Sequence, residues 1–308
     1  MRTRRYKPQR PITYYHLMTR TAQQYHWLED HHFRDKVQSL IQFYCKVYYV
    51  DLLRFAVLGN HYHVVVKARK APLDPDEIRS RFEMAQTALK HPQKWDDAKL
   101  DHYHRRYTDI SMFAWEINFH SACKHNRMVD TKGHLWGARF KSQIVQGGDN
   151  LLKVMAYVDL NAFAAHMVDD PVAYPYCSAH LDQEALKKGK APGIYPAGFL
   201  GRIPTGQRGW AYLVWLQYLA ALKRGESRPS AGRIELGDGR EVVKPEQVPG
   251  LINMAIKYQD NPPPGWRSPV FGSPAFVEKV ITETNEDGEN QPQSDQEGRS
   301  RPPPDGVE

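Results

Sequence analysis

The stretch that most constrains this chain runs from residue 51 to residue 66. Leu52, Leu53, Phe55, Ala56, Val57 and Leu58 are nearly all apolar, and Gly59-Asn60 interrupts them before His61-Tyr62-His63-Val64-Val65-Val66. β-Branched valines favour the extended state, and Gly-Asn suits a tight turn. The spacing predicts two strands joined by that turn. Side chains two apart on a strand share a face, so His61 and His63 project together and Tyr62 projects oppositely. Two adjacent imidazoles make half of a divalent-metal site. With 14 histidines in 308 residues such a pair also arises by chance, so the pattern needs a partner elsewhere.

The neighbouring segments supply a frame. Residues 12–19 are rich in strand formers. Val37, Leu40, Ile41 and Tyr44 have helical spacing within 34–49, so the first third reads strand, helix, strand, strand. A helix is expected over 76–89, opened by Asp74 or Asp76, followed by a polar connection. His102 and His104 lie in that connection and read as surface residues. Another amphipathic helix is expected over 108–124. The segment Gly133-His134-Leu135-Trp136-Gly137-Ala138-Arg139-Phe140-Lys141-Ser142 interleaves aromatic and basic residues. That suits a single-strand-binding surface formed by Trp136, Arg139 and Lys141, and equally suits aromatic anchors beside solvated cations. Residues 140–146 alternate as a fourth strand.

Gly147-Gly148 ends that strand, and Asp149 or Asn150 is positioned to cap a helix over 150–161. Leu151, Val154, Met155 and Val158 form its buried stripe. Lys153, Tyr157 and Asn161, each four apart, form a separate one. A tyrosine there is either a core-rim residue or a working phenol, and spacing alone leaves both open.

Charge narrows the partner. The net charge is +7, but residues 283–308 hold eight acidic and two basic side chains, a net of −6, so the remainder carries +13. A body that basic suits a polyanion, most often nucleic acid. Cys45, Cys123 and Cys177 are three, far apart, and form neither a disulfide framework nor a zinc pattern, which fits a cytoplasmic protein. Mean hydropathy is −0.65, and no run has the length of a membrane helix or the apolar core of a signal peptide.

Taken together, these pieces resemble the REP-associated tyrosine transposases, a branch of the single-tyrosine HUH (His-hydrophobic-His) transposases. The matching residues are Ile12-Thr13-Tyr14-Tyr15-His16, Asn60-His61-Tyr62-His63-Val64, the segment from His134 to Ser142, and Ala156-Tyr157-Val158-Asp159-Leu160-Asn161. Val270-Phe271-Gly272-Ser273-Pro274-Ala275-Phe276-Val277 is a weaker match. The resemblance implies His61 and His63 as metal ligands, Asn161 at the position of a third ligand, and Tyr157 as nucleophile. Lys153, Arg139, Lys141 and Trp136 are the DNA-contacting candidates. The family commonly has Met-Pro before Asn-His, where this chain has Leu58-Gly59. After Asn161 it usually has Pro-Val-Arg-Ala, where this chain has Ala162-Phe163-Ala164-Ala165.

The expected fold is α+β: a ferredoxin-like antiparallel sheet with helices on one face (HUH nuclease-like), plus a small helical C-terminal extension. The expected organisation is a basic arm over 1–10, a catalytic domain over 11–181, a linker over 182–209, a helical extension over 210–282 and an acidic disordered tail over 283–308. Within the extension an apolar helix is expected over 210–223, a hairpin around Gly237-Asp238-Gly239, a helix over 249–258, a Pro-rich loop over 261–268 and a last helix over 274–281. The function implied is a metal-dependent (Mg²⁺ or Mn²⁺) single-stranded DNA endonuclease and strand transferase. It would work through a 5′-phosphotyrosine intermediate on hairpin-forming repeat DNA, as a monomer or homodimer and without a membrane. The alternative is a DNA-binding regulator descended from such an enzyme that no longer cuts. A closed zinc site is disfavoured, because such sites take Cys and His in fours.

Overall fold

The computed structural model describes residues 7–8, 10–70, 72–196, 198–202, 205–225 and 268–289. The expected basic arm up to residue 6, the hairpin near Gly237, the helix over 249–258, the Pro-rich loop up to residue 267 and the tail from 290 lie outside the described residues.

The chain runs β1 (Ile12–Arg20), α1 (His31–Val47), β2 (Val50–Val57), β3 (His61–Arg69), α2 (Pro75–Gln86), α3 (Leu100–Thr108), α4 (Ile110–Met128) and β4 (Lys141–Val145). It continues through α5 (Asp149–Asp159), α6 (Asn161–Ala164), α7 (Ser178–Lys187), α8 (Arg208–Lys223), β5 (Val270–Phe271) and α9 (Pro274–Glu289). Strand order is β2-β3-β1-β4-β5. β1 pairs antiparallel with both β3 and β4, and β2 pairs antiparallel with β3. β1 and β2 are therefore parallel with β3 between them, and β3 and β4 are parallel with β1 between them. These are two interlocked split βαβ units, the ferredoxin-like arrangement. Right-handed crossovers put their helices, α1 and α4, on the same face.

Two features add to the expected sheet. β5 joins β4 in parallel, so the sheet is mixed at that edge. The face opposite α1 and α4 is also covered. Tyr62 donates its hydroxyl to Asn118 on α4 at 2.6 Å, while its neighbour His63 meets Tyr157 on α5. Adjacent strand residues point oppositely, so α4 and α5 lie on opposite faces.

Local chemistry explains most element ends. Asp30 caps α1 through the Phe33 amide at 2.7 Å, and Asp109 caps α4 through Ser111 at 2.6 Å. Asp74 caps α2, with Pro75 in the first turn. α5 departs from expectation: its N-cap is Gly148 at φ 70°, with no side-chain cap, and neither Asp149 nor Asn150 takes that role. α3 lies in the stretch expected to be a loop. Tyr103 and Tyr107, four apart, bury one face of it.

The expected linker over 182–209 begins inside α7, and α8 is buried on nearly every side rather than forming a separate extension. Trp210, Tyr212, Trp215, Leu216 and Leu219 belong to the same hydrophobic core as the sheet. α9 continues to Glu289, past the boundary at 282 expected for the tail. Among the described residues, no helix is long and apolar enough to cross a membrane.

Candidate active site

The register of β1 builds the site floor. His63 lies across from Met18, and Val65 lies across from His16. His16 is therefore diagonal to His63 on the face toward α5. Their rings stack at 5.0 Å, with His16 Nε2 and His63 Nδ1 2.9 Å apart. His61 and His63 have ring centroids 5.0 Å apart. Tyr157 closes the cluster at 5.6 Å from His63 and 6.0 Å from His16. Its neighbours on α5, Ala156 and Val158, are buried, but the phenol is 39% exposed and can meet a substrate.

Asn161 stands just past a small break. α5 ends at Asp159, Leu160 keeps near-helical angles, and Asn161 opens α6. Its side chain still hydrogen-bonds His61. Lys153, one turn before Tyr157, donates to Asn150 Oδ1 at 3.3 Å, and burial lowers its pKa.

The imidazoles are held neutral. Burial first, then the positive charge of Arg20, pulls His61 down to about 4. Burial likewise brings His16 to about 4 and His63 well below its ordinary value. A neutral imidazole offers one lone pair, and its neighbours decide which nitrogen carries it. His61 Nδ1 lies 2.7 Å from Asn60 Oδ1, an acceptor, so Nδ1 donates and Nε2 keeps the lone pair. Gln143 donates its amide to the Ser268 carbonyl at 2.7 Å, which turns its oxygen toward His16. His16 then donates to Gln143 from Nδ1 and accepts from His63 Nδ1 through Nε2. This frees His63 Nε2. Each ring is oriented by an acceptor behind its Nδ1, which matches how histidines are prepared for a metal, and His61 is also hydrogen-bonded to the Asn161 side chain. The donor set therefore fits a divalent ion held by His61, His63 and the Asn161 amide. Among the described residues, no group of three or more His, Cys, Asp or Glu side chains is placed to hold one.

The remaining expected residues divide. Lys141 is exposed and pairs with Met18, placing it on the site face, two strands across from His63. Arg139 is exposed in the loop before β4. Trp136 stands on the other face. It packs on Tyr62 at 5.3 Å and donates its indole N–H to the Asn118 carbonyl at 2.9 Å, so it anchors the loop. Gly137 lets that loop touch the end of β1, since a Cβ there would lie 3.0 Å from Thr21 O and Ala22 Cα.

His16, Arg20, Gln143 and Asn60 were not singled out by sequence reasoning. All but Asn60 lie on the site face of β1 or β4, and only the strand register brings them to His61 and His63. At the Gly59 departure a Cβ would meet only the exposed His26 and Glu29 side chains, which can turn aside, so nothing in the structure demands glycine there. The weak C-terminal resemblance is β5 with the start of α9. There Ser273 N donates to Gln146 Oε1 at 2.7 Å, and a Cβ on Gly272 would lie 2.6 Å from Phe276.

Residues 11–92 match the family model described as Transposase IS200 like. The match covers β1, α1, β2, β3 and α2, hence His16, Arg20, His61 and His63, and stops short of Tyr157 and Asn161. A solved structure, described as the REP associates tyrosine transposase bound to a REP hairpin, is similar over 62% of this chain and 89% of that chain. The sequence identity is 14% and the TM-score 0.40. No curated protein matches the chain at a significant level. Through residues 11–92, the chain is similar to the IS200-like transposases.

Proposed function

We propose that the protein cuts and rejoins single-stranded DNA through Tyr157, with a divalent metal, Mg²⁺ or Mn²⁺, held by His61, His63 and Asn161. The observation that carries this reading is the convergence of an exposed phenol on two neutral, pre-oriented imidazoles, 5.6 Å from His63.

The phenolic oxygen attacks a backbone phosphorus and forms a new O–P bond. The bond to the 3′ oxygen breaks, and that oxygen takes up a proton and leaves as a free hydroxyl. The DNA 5′ phosphate stays joined to Tyr157, so another 3′ hydroxyl can reverse the step without an energy source. A divalent ion, when bound, supplies Lewis-acid polarisation of a non-bridging phosphate oxygen. The chain's own part is placement and charge. α5 sets the phenol over the histidines, and Arg20, Lys141 and Lys153 line the approach with cations. Hairpin-forming repeat DNA is the substrate class that the sequence resemblance implies, with Arg139 as a further phosphate contact.

The test is a denaturing gel of DNA labelled on the 3′ side of the cut. Wild type should show a labelled band that migrates with the protein. Tyr157→Phe should lose that band and keep DNA binding, since one oxygen is removed from an exposed ring. An adduct in Tyr157→Phe would identify a different nucleophile. His61→Ala and His63→Ala should also lose the adduct. Full cleavage by both in Mg²⁺ would remove the metal from the reading.

A further inference from the structure

Behind the turn that carries His61 lies a cavity of about 270 Å³, lined by Trp27, Asp30, Phe33, His125 and Met128 among others. We propose that it seats one unpaired base of a DNA single strand, stacked on Trp27 and hydrogen-bonded by His125. The proposal rests on the reading of the neighbouring site as one that acts on single-stranded DNA.

Four observations carry it. His125 is 5% exposed, and its Nε2 has no hydrogen-bond partner among the described residues. A buried polar atom left unpaired is costly, and an imidazole nitrogen can pair with either a donor or an acceptor on a base edge. Trp27 is 42% exposed, meets the His125 ring edge-on at 5.1 Å, and has Tyr25, also exposed, beside it at 5.7 Å. Exposed aromatic faces next to cations are the usual platform for unpaired bases, and Lys124 is exposed one turn before Met128. The loop leading into the cavity holds Gln23 and Gln24 at φ 52° and 59°. Two successive non-glycine residues in the left-handed region mark a segment shaped for use.

The fourth observation is the link to the site. Asn60 donates from Nδ2 to the Gln24 carbonyl at 3.2 Å and accepts at Oδ1 from His61 Nδ1. One amide thus ties the cavity's loop to the candidate metal half-site. Leu28 N also donates to the Gly59 carbonyl at 2.8 Å, pressing the same loop onto the turn. The cavity lies among α1 and α4, on the sheet face opposite the histidines, so a strand whose phosphate lies at His61 reaches it by passing round this end of β1 and β3.

The experiment is fluorescence anisotropy of labelled dT20 and of an abasic strand of equal length, over a series of salt concentrations. It uses the full chain in the Tyr157→Phe background with metal removed, so that nothing is cut. Trp27→Ala should weaken dT20 binding about fivefold or more, the range for one stacked base. It should leave the abasic strand unaffected and the salt slope unchanged, because a base contact releases no counterions. His125→Phe keeps the ring, removes the nitrogens and should weaken dT20 in the same direction. Trp27→Ala is at an exposed position and stands alone if His125→Phe fails to fold. Equal loss on both strands, or no loss on dT20, overturns the cavity while the Tyr157 reading stands. A wild-type protein that binds neither strand overturns both.

Discussion

His63 depends on a relay of side chains that ends at the Ser268 carbonyl. Removing His16 deletes the acceptor that holds His63 Nδ1–H, so His16→Phe should lower Mn²⁺ affinity about 10- to 100-fold, the usual scale for lost support behind a ligand. Titration of the purified protein with Mn²⁺ reads this directly. Unchanged affinity would mean the His16–His63 contact is only packing. The same residues set a pH response. His16 and His61 titrate at about 4 instead of 6.5 because burial disfavours their cations. Above pH 6.5 both are neutral in folded and unfolded chains. Between 6.5 and about 4 the unfolded chain takes up protons that the folded chain refuses, so acidification favours unfolding. Metal-free protein should lose stability across that window in urea titrations, and His16→Phe should lose less of it. Equal pH dependence in the two proteins would show that His16 titrates normally.

At the scale of elements, α5 is the part that must not move. Arg54 is fully buried on β2 and pairs with Asp159 at 3.0 Å and Asp182 at 3.3 Å, joining β2, α5 and α7. Tyr212 on α8 donates to Asp159 at 2.8 Å, and Tyr195 donates to Asp182. Asp159 is two residues from Tyr157, so this network fixes the helix that carries the phenol. A β-bulge between Leu52 and Arg54 turns Arg54 to the α5 face. Arg54→Leu leaves two buried carboxylates without their cation, and should cost about 3–5 kcal/mol of stability in urea denaturation. A loss below about 1 kcal/mol would show that the carboxylates are satisfied without it. The elements themselves were legible where periodicity was strong: β1, α1, β2, β3, α4 and α5 lie close to their expected spans. The closeness of His61 to His63 follows from their spacing on β3, and Tyr157 and Asn161 stay neighbours across the break between α5 and α6. The bulge, the Arg54 network and His16 were not legible, because a one-residue slip or a cross-strand diagonal exists only once strands pair. Trp136 misled for a related reason: an aromatic among cations reads alike whether it faces DNA or Tyr62.

At the scale of the molecule, the C-terminal part is structural. α8 supplies core residues from Trp210 to Leu222, and β5 extends the sheet. A chain ending at residue 181, the expected domain boundary, should not fold. Its circular dichroism should lack a cooperative melt, and a sharp transition would show that the sheet closes without α8. Long-range charge also belongs here. With +13 outside residues 283–308, DNA affinity should fall steeply as salt rises, and removing 283–308 should tighten non-specific binding. Salt-insensitive binding would sink the polyanion reading.

The central place of β1 has a consequence in time. β1 leaves the ribosome before the other strands of the sheet, yet one partner lies at Lys141–Val145 and its covering helix ends at Asp159. Until those residues emerge, β1 can pair on one edge only, and His16 has neither Gln143 nor Tyr157 beside it. Contacts this distant in sequence form slowly, because a long loop must close before they reward it. The three histidines can therefore come together first, on β1 and β3, and the phenol and the amide join them late. A half-made chain thus carries its β1 and β3 histidines well before it owns the phenol that packs on them.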